Sequence, residues 1–304
     1  MRCLLPRDVL SPFTEAEFLG QYFGQKHLQS AGYPGRFAGL LPADSKAAVL
    51  LAHHWERLLE CPVSLADYSS GGTGRGAEII LLQAAGWSSW EFGPGAGTIS
   101  LLEGDALYLP AHYSWRAETG PGAAILALEI HNPSGGELWG FIADRIAKDP
   151  HWASAVPRFQ GPGARANYLE HLQKAVWAEV GRPGLLERFA EHRSSHAMPR
   201  ELPGVRWNVD LPQAWRVVMA VPRKLRVQSA APEVIQVEFG GEAVYFPEDA
   251  AELLYFLEDH APCSVNKFFA AFHDGYDLEE LQDFLAVLDS KGVVTFIPPV
   301  GDEA

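Results

Sequence analysis

Between Pro62 and Pro133 the chain is written in short apolar runs punctuated by glycine: Glu78–Leu82, Trp87–Phe92, Thr98–Leu102, Ala106–Leu109 and Ala123–Ile130. Runs of this length, recurring at regular spacing with turn signals between them, predict half-buried and buried strands rather than helices. Pro94-Gly-Ala-Gly97 and Gly120-Pro-Gly122 supply the turns. A series of such strands closes most simply as an antiparallel barrel or jelly roll.

Helical patterning flanks this region. Thr14-Glu-Ala-Glu17 is a capping box ahead of Phe18, Leu19, Tyr22 and Phe23, and Lys46–Leu59 carries apolar residues at helical spacing before Pro62. Residues 136–200 show three further helical faces, the first built on Leu138, Phe141, Ile142 and Ile146, the second on Leu169, Leu172, Val176 and Trp177, the third on Leu185, Leu186 and Phe189. Residues 203–232 are interrupted by proline and read as a connector with a strand at Val217–Val221. Beyond it, Val234–Phe239 and Glu242–Phe246 form a hairpin around Gly240-Gly241. Helices at Pro247–Asp259, Ser264–Phe272 and Asp277–Ser290 and a closing strand at Val293–Ile297 complete a small winged-helix unit. The expected fold class is α+β in three parts: a barrel with N-terminal helices (1–135), a helical segment with connector (136–232) and a winged helix (233–304).

Composition narrows the function. At 47% hydrophobic and 20% charged residues, the chain is an ordinary globular protein. No apolar run reaches the roughly 18–20 residues of a membrane span, and the N-terminus predicts no signal peptide. Three scattered cysteines, Cys3, Cys61 and Cys263, fit a reducing cytoplasm and no disulfide framework or cysteine-rich zinc site. Residues 233–304 hold 16 acidic side chains, two lysines (Lys267, Lys291) and no arginine, so they carry the protein's entire net charge of −14. Such a surface repels phosphate backbones, which argues against DNA as the partner of the winged helix and favours a cationic one.

Two stretches carry a resemblance. An aliphatic run leads into Gln83-x-x-Gly86-x-x-x-Trp90, and Gly104-Asp-Ala-Leu-Tyr-Leu-Pro110 follows. Together with the order of parts, they resemble the bacterial JmjC-like, cupin-fold ribosomal oxygenases. The resemblance implies a double-stranded β-helix, a helical dimerisation segment and a C-terminal winged helix. In that family two histidines and a carboxylate hold Fe(II), leaving room for 2-oxoglutarate and oxygen. Counting back from Gln83 places the His-x-Asp pair at Thr73-Gly74-Arg75, the second histidine at Trp115 and the cosubstrate lysine at Ser88. All four positions are changed. The resemblance thus implies a degenerate member with no catalytic residues, no metal and no cofactor. The alternative is an active Fe(II)/2-oxoglutarate-type peptidyl hydroxylase with a site rebuilt around His112 or His131. His53 and His54, adjacent on a helix, point in different directions and make a poor chelate. Glu78 and Asp105 are a formal acid/base pair, although Asp105 lies in the Gly-Asp turn that is structural in the enzymes. Gly71-Gly72-Thr-Gly74 has no following helix and is a weak phosphate-binding signal.

The family binds peptide or protein substrates in a groove, and loss of iron need not remove the groove. Trp87, Trp90, Tyr108, Tyr113 and Trp115 can fill the vacated centre or anchor a peptide. Phe246–Leu257, Ser264-Val265, Tyr276–Leu281 and Leu288–Val294 also look similar to the winged helices that recognise leader peptides in peptide natural-product pathways, where the leader adds as a strand to the hairpin edge. The candidate peptide-binding residues are Arg75, Ser88, Trp90, Tyr108, His112 and Trp115 in the barrel, and Val237, Phe239 and Tyr245 on the hairpin. The expected protein is a homodimeric, non-catalytic binder that presents a precursor peptide or protein substrate to partner modifying enzymes, with no nucleic-acid or membrane role. A purely structural subunit with a plugged cleft is a further reading.

Overall fold

The structure, a computed structural model, describes residues 4–68, 70, 72–75, 78–93, 97–148, 155–195, 201–209, 211–239 and 242–298; the side chains at 75, 194 and 195 lie outside that description. The expected turns at 94–96 and Gly240-Gly241 fall outside it as well. The chain divides into two compact units, Met1–Asn132 with Ala197–Ala304, and Pro133–His196.

The first unit opens with α1 (Pro6–Leu10), α2 (Glu15–Gln21), β1 (Leu28–Ser30) and α3 (Lys46–Leu59). The capping box at α2 is formed, Thr14 Oγ1 accepting from Glu17 N at 3.1 Å and Glu17 accepting from Thr14 N at 2.8 Å. Eight strands follow: β2 (Val63–Asp67), β3 (Gly72–Arg75), β4 (Glu78–Ala85), β5 (Trp87–Phe92), β6 (Thr98–Leu102), β7 (Ala106–Leu109), β8 (Ser114–Thr119) and β9 (Ala124–Ile130). They form two antiparallel sheets, β1-β7-β4-β9-β2 and β3-β8-β5-β6. Without β1, this is the strand order of a jelly roll.

Strand alternation divides the larger sheet's side chains between two cores. Ile79, Leu81, Leu107, Leu109, Ile125 and Ala127 face the second sheet and meet Trp90, Phe92, Leu101 and Trp115 there. Ile80, Leu82, Tyr108, Leu126, Leu128 and Ile130 face outward against Phe18, Leu51 and Trp55 of the helices. The two signature glycines are explained by close approach. At Gly86 (φ 67°) a Cβ would lie 3.0 Å from Ala123 Cα, and at Gly104 (φ 93°) 2.0 Å from Tyr33 O.

The first unit resumes after the helical segment with β10 (Arg216–Met219), β11 (Arg226–Ala231), β12 (Val234–Phe239), β13 (Glu242–Pro247), α7 (Ala250–His260), β14 (Cys263–Ser264), α8 (Val265–Phe272), α9 (Leu278–Ser290) and β15 (Val294–Ile297). The sheets are β14-β10-β15 and β11-β12-β13. The boundary expected at 233 therefore cuts through structure. The expected connector supplies β10 and β11, and Val217, Met219 and Val221 share one core with Leu254, Phe268, Leu285 and Phe296. Its short apolar runs belong to non-local pairings that no local pattern reveals.

Helix α3 joins the jelly roll to this C-terminal segment. Arg57 donates to Val221 O at 2.6 Å, Arg223 O at 3.0 Å and the Glu258 carboxylate at 2.7 Å. His53 Nε2 lies 2.7 Å from Met219 O.

The second unit comprises α4 (Gly135–Ala147), α5 (Pro162–Val180) and α6 (Leu185–Ser195). Phe141 packs on Phe189 with ring centroids 5.5 Å apart, and buried Glu179 pairs with Arg145 and, at 3.4 Å, with Arg182. Trp139, Leu169, Trp177 and Leu186 are each more than half exposed. Within this unit the face expected to bury Leu169 and Trp177 is uncovered.

Candidate functional site

The expected metal site is decided by the pairing of β3 with β8. Gly74 stands opposite Trp115, Thr73 opposite Arg116, and Gly72 opposite Ala117. Directly paired residues share a face of the sheet. Trp115 and Ala117 face the interior, so the inward positions of β3 are Gly72 and Gly74. Thr73 is exposed opposite exposed Arg116. Thr73, reached by counting back from Gln83, thus lies on the outward face, because a one-residue step along a strand changes face. Arg75 pairs in register with Ser114, and its side chain lies outside the described residues.

The inward positions on β3 and β8 hold Gly72, Gly74, Trp115 and Ala117. The Trp115 indole covers Gly74 so closely that a Cβ there would lie 2.4 Å from Cζ2 and 2.7 Å from Cε2. No side chain at position 74 is compatible with this indole. The residues present do not fit a two-histidine, one-carboxylate iron centre.

A second tryptophan completes the filling. Trp90 lies 4.9 Å from Trp115 between ring centroids and is fully buried. Its Nε1–H donates to Ser88 Oγ at 2.8 Å, Ser88 donates to Gln83 Oε1 at 2.5 Å, and Gln83 Nε2 donates to Ala85 O at 2.7 Å. Ser88, at the expected lysine position, is a buried relay that seats Trp90. Trp115 Nε1 is buried and has no hydrogen-bond partner among the described residues. At the Phe92–Trp115 end of β5 and β8 a cavity of about 390 Å³ opens beside Glu91, Thr98, Ser114 and Arg116.

The other candidates are dispersed. Tyr108 lies on the outer face of its sheet, 2% exposed, and donates to Glu78, which also accepts from Asn132 Nδ2 and from Gly24 N at 3.1 Å. Burial first, then the Glu78 carboxylate, holds the Tyr108 hydroxyl in its protonated form. Glu78 begins β4, whereas Asp105 adjoins Gln83 near its end, roughly 16 Å away along the strand. Asp105 accepts from Gly32 N at 2.8 Å and Leu102 N at 2.9 Å. These carboxylates brace the backbone and cannot act on one substrate as a pair. His112 is exposed beside Tyr113, and His131 Nε2 lies 2.8 Å from Ser64 Oγ. Among the described residues no three His, Cys, Asp or Glu side chains converge as a metal site.

On the hairpin, Val237 is fully buried in the central strand and unavailable to a ligand. Phe239 is half-buried against the same core, and Tyr245 is 61% exposed on the edge strand β13. Sequence reasoning missed Tyr68 and Glu129 inside the barrel. The signal for Glu129 was its place in phase with inward Ile125 and Ala127, where an acidic residue breaks an apolar face.

The eight-stranded order is that of a JmjC/cupin-like fold. Among solved structures, the chain is similar to YcfD, a ribosomal oxygenase from Escherichia coli, at 14% identity and a TM-score of 0.56, over 94% of this chain and 98% of that chain. A second structure of YcfD, in complex with cobalt and 2-oxoglutarate, matches with the same values. A third covers 98% of this chain and 100% of its own, also at a TM-score of 0.56 and 14% identity. At this identity the likeness shows the fold alone. No protein-family model matches the chain, and no curated protein matches it in sequence.

Proposed function

We propose that this protein is a pseudo-hydroxylase, a non-catalytic member of the ribosomal-oxygenase fold that binds a peptide and presents it to partner modifying enzymes. The observation that carries the reading is the Trp115 indole packed over Gly74, where the fold would otherwise hold a metal-binding side chain. The C-terminal segment supports the peptide half of the reading. Three antiparallel strands and three helices in this order suit a winged helix of the leader-recognising kind. Its β13 is an edge strand whose backbone can accept an added strand, with exposed Tyr245 beside it. The acidic surface of residues 233–304 favours a basic peptide. A precursor peptide of a ribosomal peptide natural product is the substrate class we assign.

The alternative, an active hydroxylase with a rebuilt site, draws on the fold it shares with cobalt- and 2-oxoglutarate-bound YcfD. It requires His112 and His131 to converge with a carboxylate. Calorimetry with Mn(II), with 2-oxoglutarate and with peptides encoded beside the gene separates the two. Peptide binding without metal or cosubstrate binding supports presentation. Stoichiometric metal with cosubstrate turnover refutes it.

A further inference from the structure

The barrel interior holds one carboxylate that nothing in the pseudo-hydroxylase reading uses. Glu129 lies on β9 in phase with inward Ile125 and Ala127, and Ser64 stands directly opposite it on β2. Tyr68 lies two pairs of residues further along the same face, packs on the interior core and donates its hydroxyl to Glu129 Oε1 at 2.6 Å. Ser64 Oγ lies 3.4 Å from Glu129 Oε2 and 2.8 Å from His131 Nε2. If Ser64 donates to Glu129 and His131 Nε2–H donates to Ser64, every proton in the chain is used once. Among the described residues no lysine or arginine pairs with Glu129.

Tyr68, which touches this carboxylate, continues into a row of aromatic rings. Tyr68 is 5.6 Å from Trp115 between ring centroids, and Trp115 is 4.9 Å from Trp90. Ser64, Tyr68 and Glu129 are all partly exposed, so the carboxylate is accessible rather than sealed in the core. A carboxylate with two hydroxyl donors, an aromatic ring beside it and no cation paired with it among the described residues is complementary to an organic ammonium group. An anion would meet like charge, and a neutral apolar side chain would strip water from Glu129 without replacing its charge.

We propose that the barrel interior binds an organic ammonium group, with Glu129 as its counter-ion and Tyr68 and Trp115 as its aromatic walls. This rests on the peptide-binding reading in one respect only: the ammonium belongs to the presented peptide, as a lysine side chain or as the peptide's amino terminus. The site lies on a different sheet from the β13 edge.

The test uses the full chain and small probes that cannot add a strand to β13. Nα-acetyl-lysine-N-methylamide presents a side-chain ammonium, glycylglycinamide presents a terminal one, and Nα-acetyl-norleucine-N-methylamide is the neutral control. Binding is read by calorimetry. One of the two ammonium probes should bind about tenfold or more above the control, and which one identifies the source of the group. Glu129→Gln should abolish that preference, and Tyr68→Leu should weaken it, in proteins whose thermal unfolding stays cooperative. Equal binding of the norleucine control, or a preference that survives Glu129→Gln, overturns the proposal. A Pro substitution at Ala243 on β13, which blocks strand addition, separates the two readings. Retained ammonium binding in a protein that captures no peptide overturns presentation and leaves this site standing. Peptide capture indifferent to Glu129→Gln and to the ammonium probes overturns this site alone.

Discussion

The proposed exchange of a metal centre for a packed core rests on single residues. Trp115 puts a large ring into the interior opposite Gly74, and the missing side chain at Gly74 is what makes room for it. The register makes a sharp prediction. The variant Gly72→His, Gly74→Asp, Trp115→His places all three new ligands on the inward face and should acquire Mn(II) binding measurable by calorimetry. The variant Thr73→His, Arg75→Asp, Trp115→His, built on the alignment rather than the pairing, should not. Ser88 offers a second test. It accepts from Trp90 and donates to Gln83 while wholly buried. Ser88→Ala leaves both partners unsatisfied and should lower the unfolding free energy by about 1–3 kcal/mol in urea titrations.

Helix α3 is the element on which the two halves of the first unit depend. Arg57 spends its donors on two carbonyls and on Glu258, with both charged side chains largely buried. Burial lowers the Arg57 pKa and Glu258 opposes that shift. Arg57→Ala removes one partner of a buried pair and should cost about 3–5 kcal/mol, measured by denaturant unfolding. On the same helix, burial first and the Arg57 charge second push His54 down from 6.5 to about 4. Between these values the unfolded chain binds more protons than the folded one, so stability falls as pH drops. The contribution is complete above pH 6.5 and lost by about pH 4, amounting to at most about 3 kcal/mol. Thermal melts across this range should show the decline, and His54→Gln should flatten that part of it.

For the molecule as a whole, the exposed apolar residues of the helical unit bear on assembly. Trp139, Leu169, Trp177 and Leu186 leave more apolar surface uncovered than an isolated three-helix unit has reason to. The homodimer expected from the family resemblance would cover it. Sedimentation should then show a dimer for the native chain and a monomer for Trp177→Glu, with circular dichroism unchanged. A native chain that sediments as a monomer would overturn that expectation. No helix among the described residues is long and apolar enough to cross a membrane.

The sequence by itself determined the elements. The capping boxes, the short strands between glycines and the two signature turns are local, and each is set by a residue's own backbone preference and its near neighbours. Gly86 and Gly104 could be read because a left-handed turn leaves glycine little competition. What only the tertiary structure decided were the pairings. A strand has two faces and the letters do not say which is inside, so Thr73 and Arg75 looked like the ligand positions until Gly74 was found opposite Trp115. Tyr108 belonged to the helix-facing side for the same reason, and β10 and β11 joined the C-terminal sheets rather than a connector. Glu129, Ser64 and Tyr68 converge only because β2 and β9 run side by side. Register is a relation between distant segments, settled by which faces can be buried together, and the chemistry of this barrel depends on it.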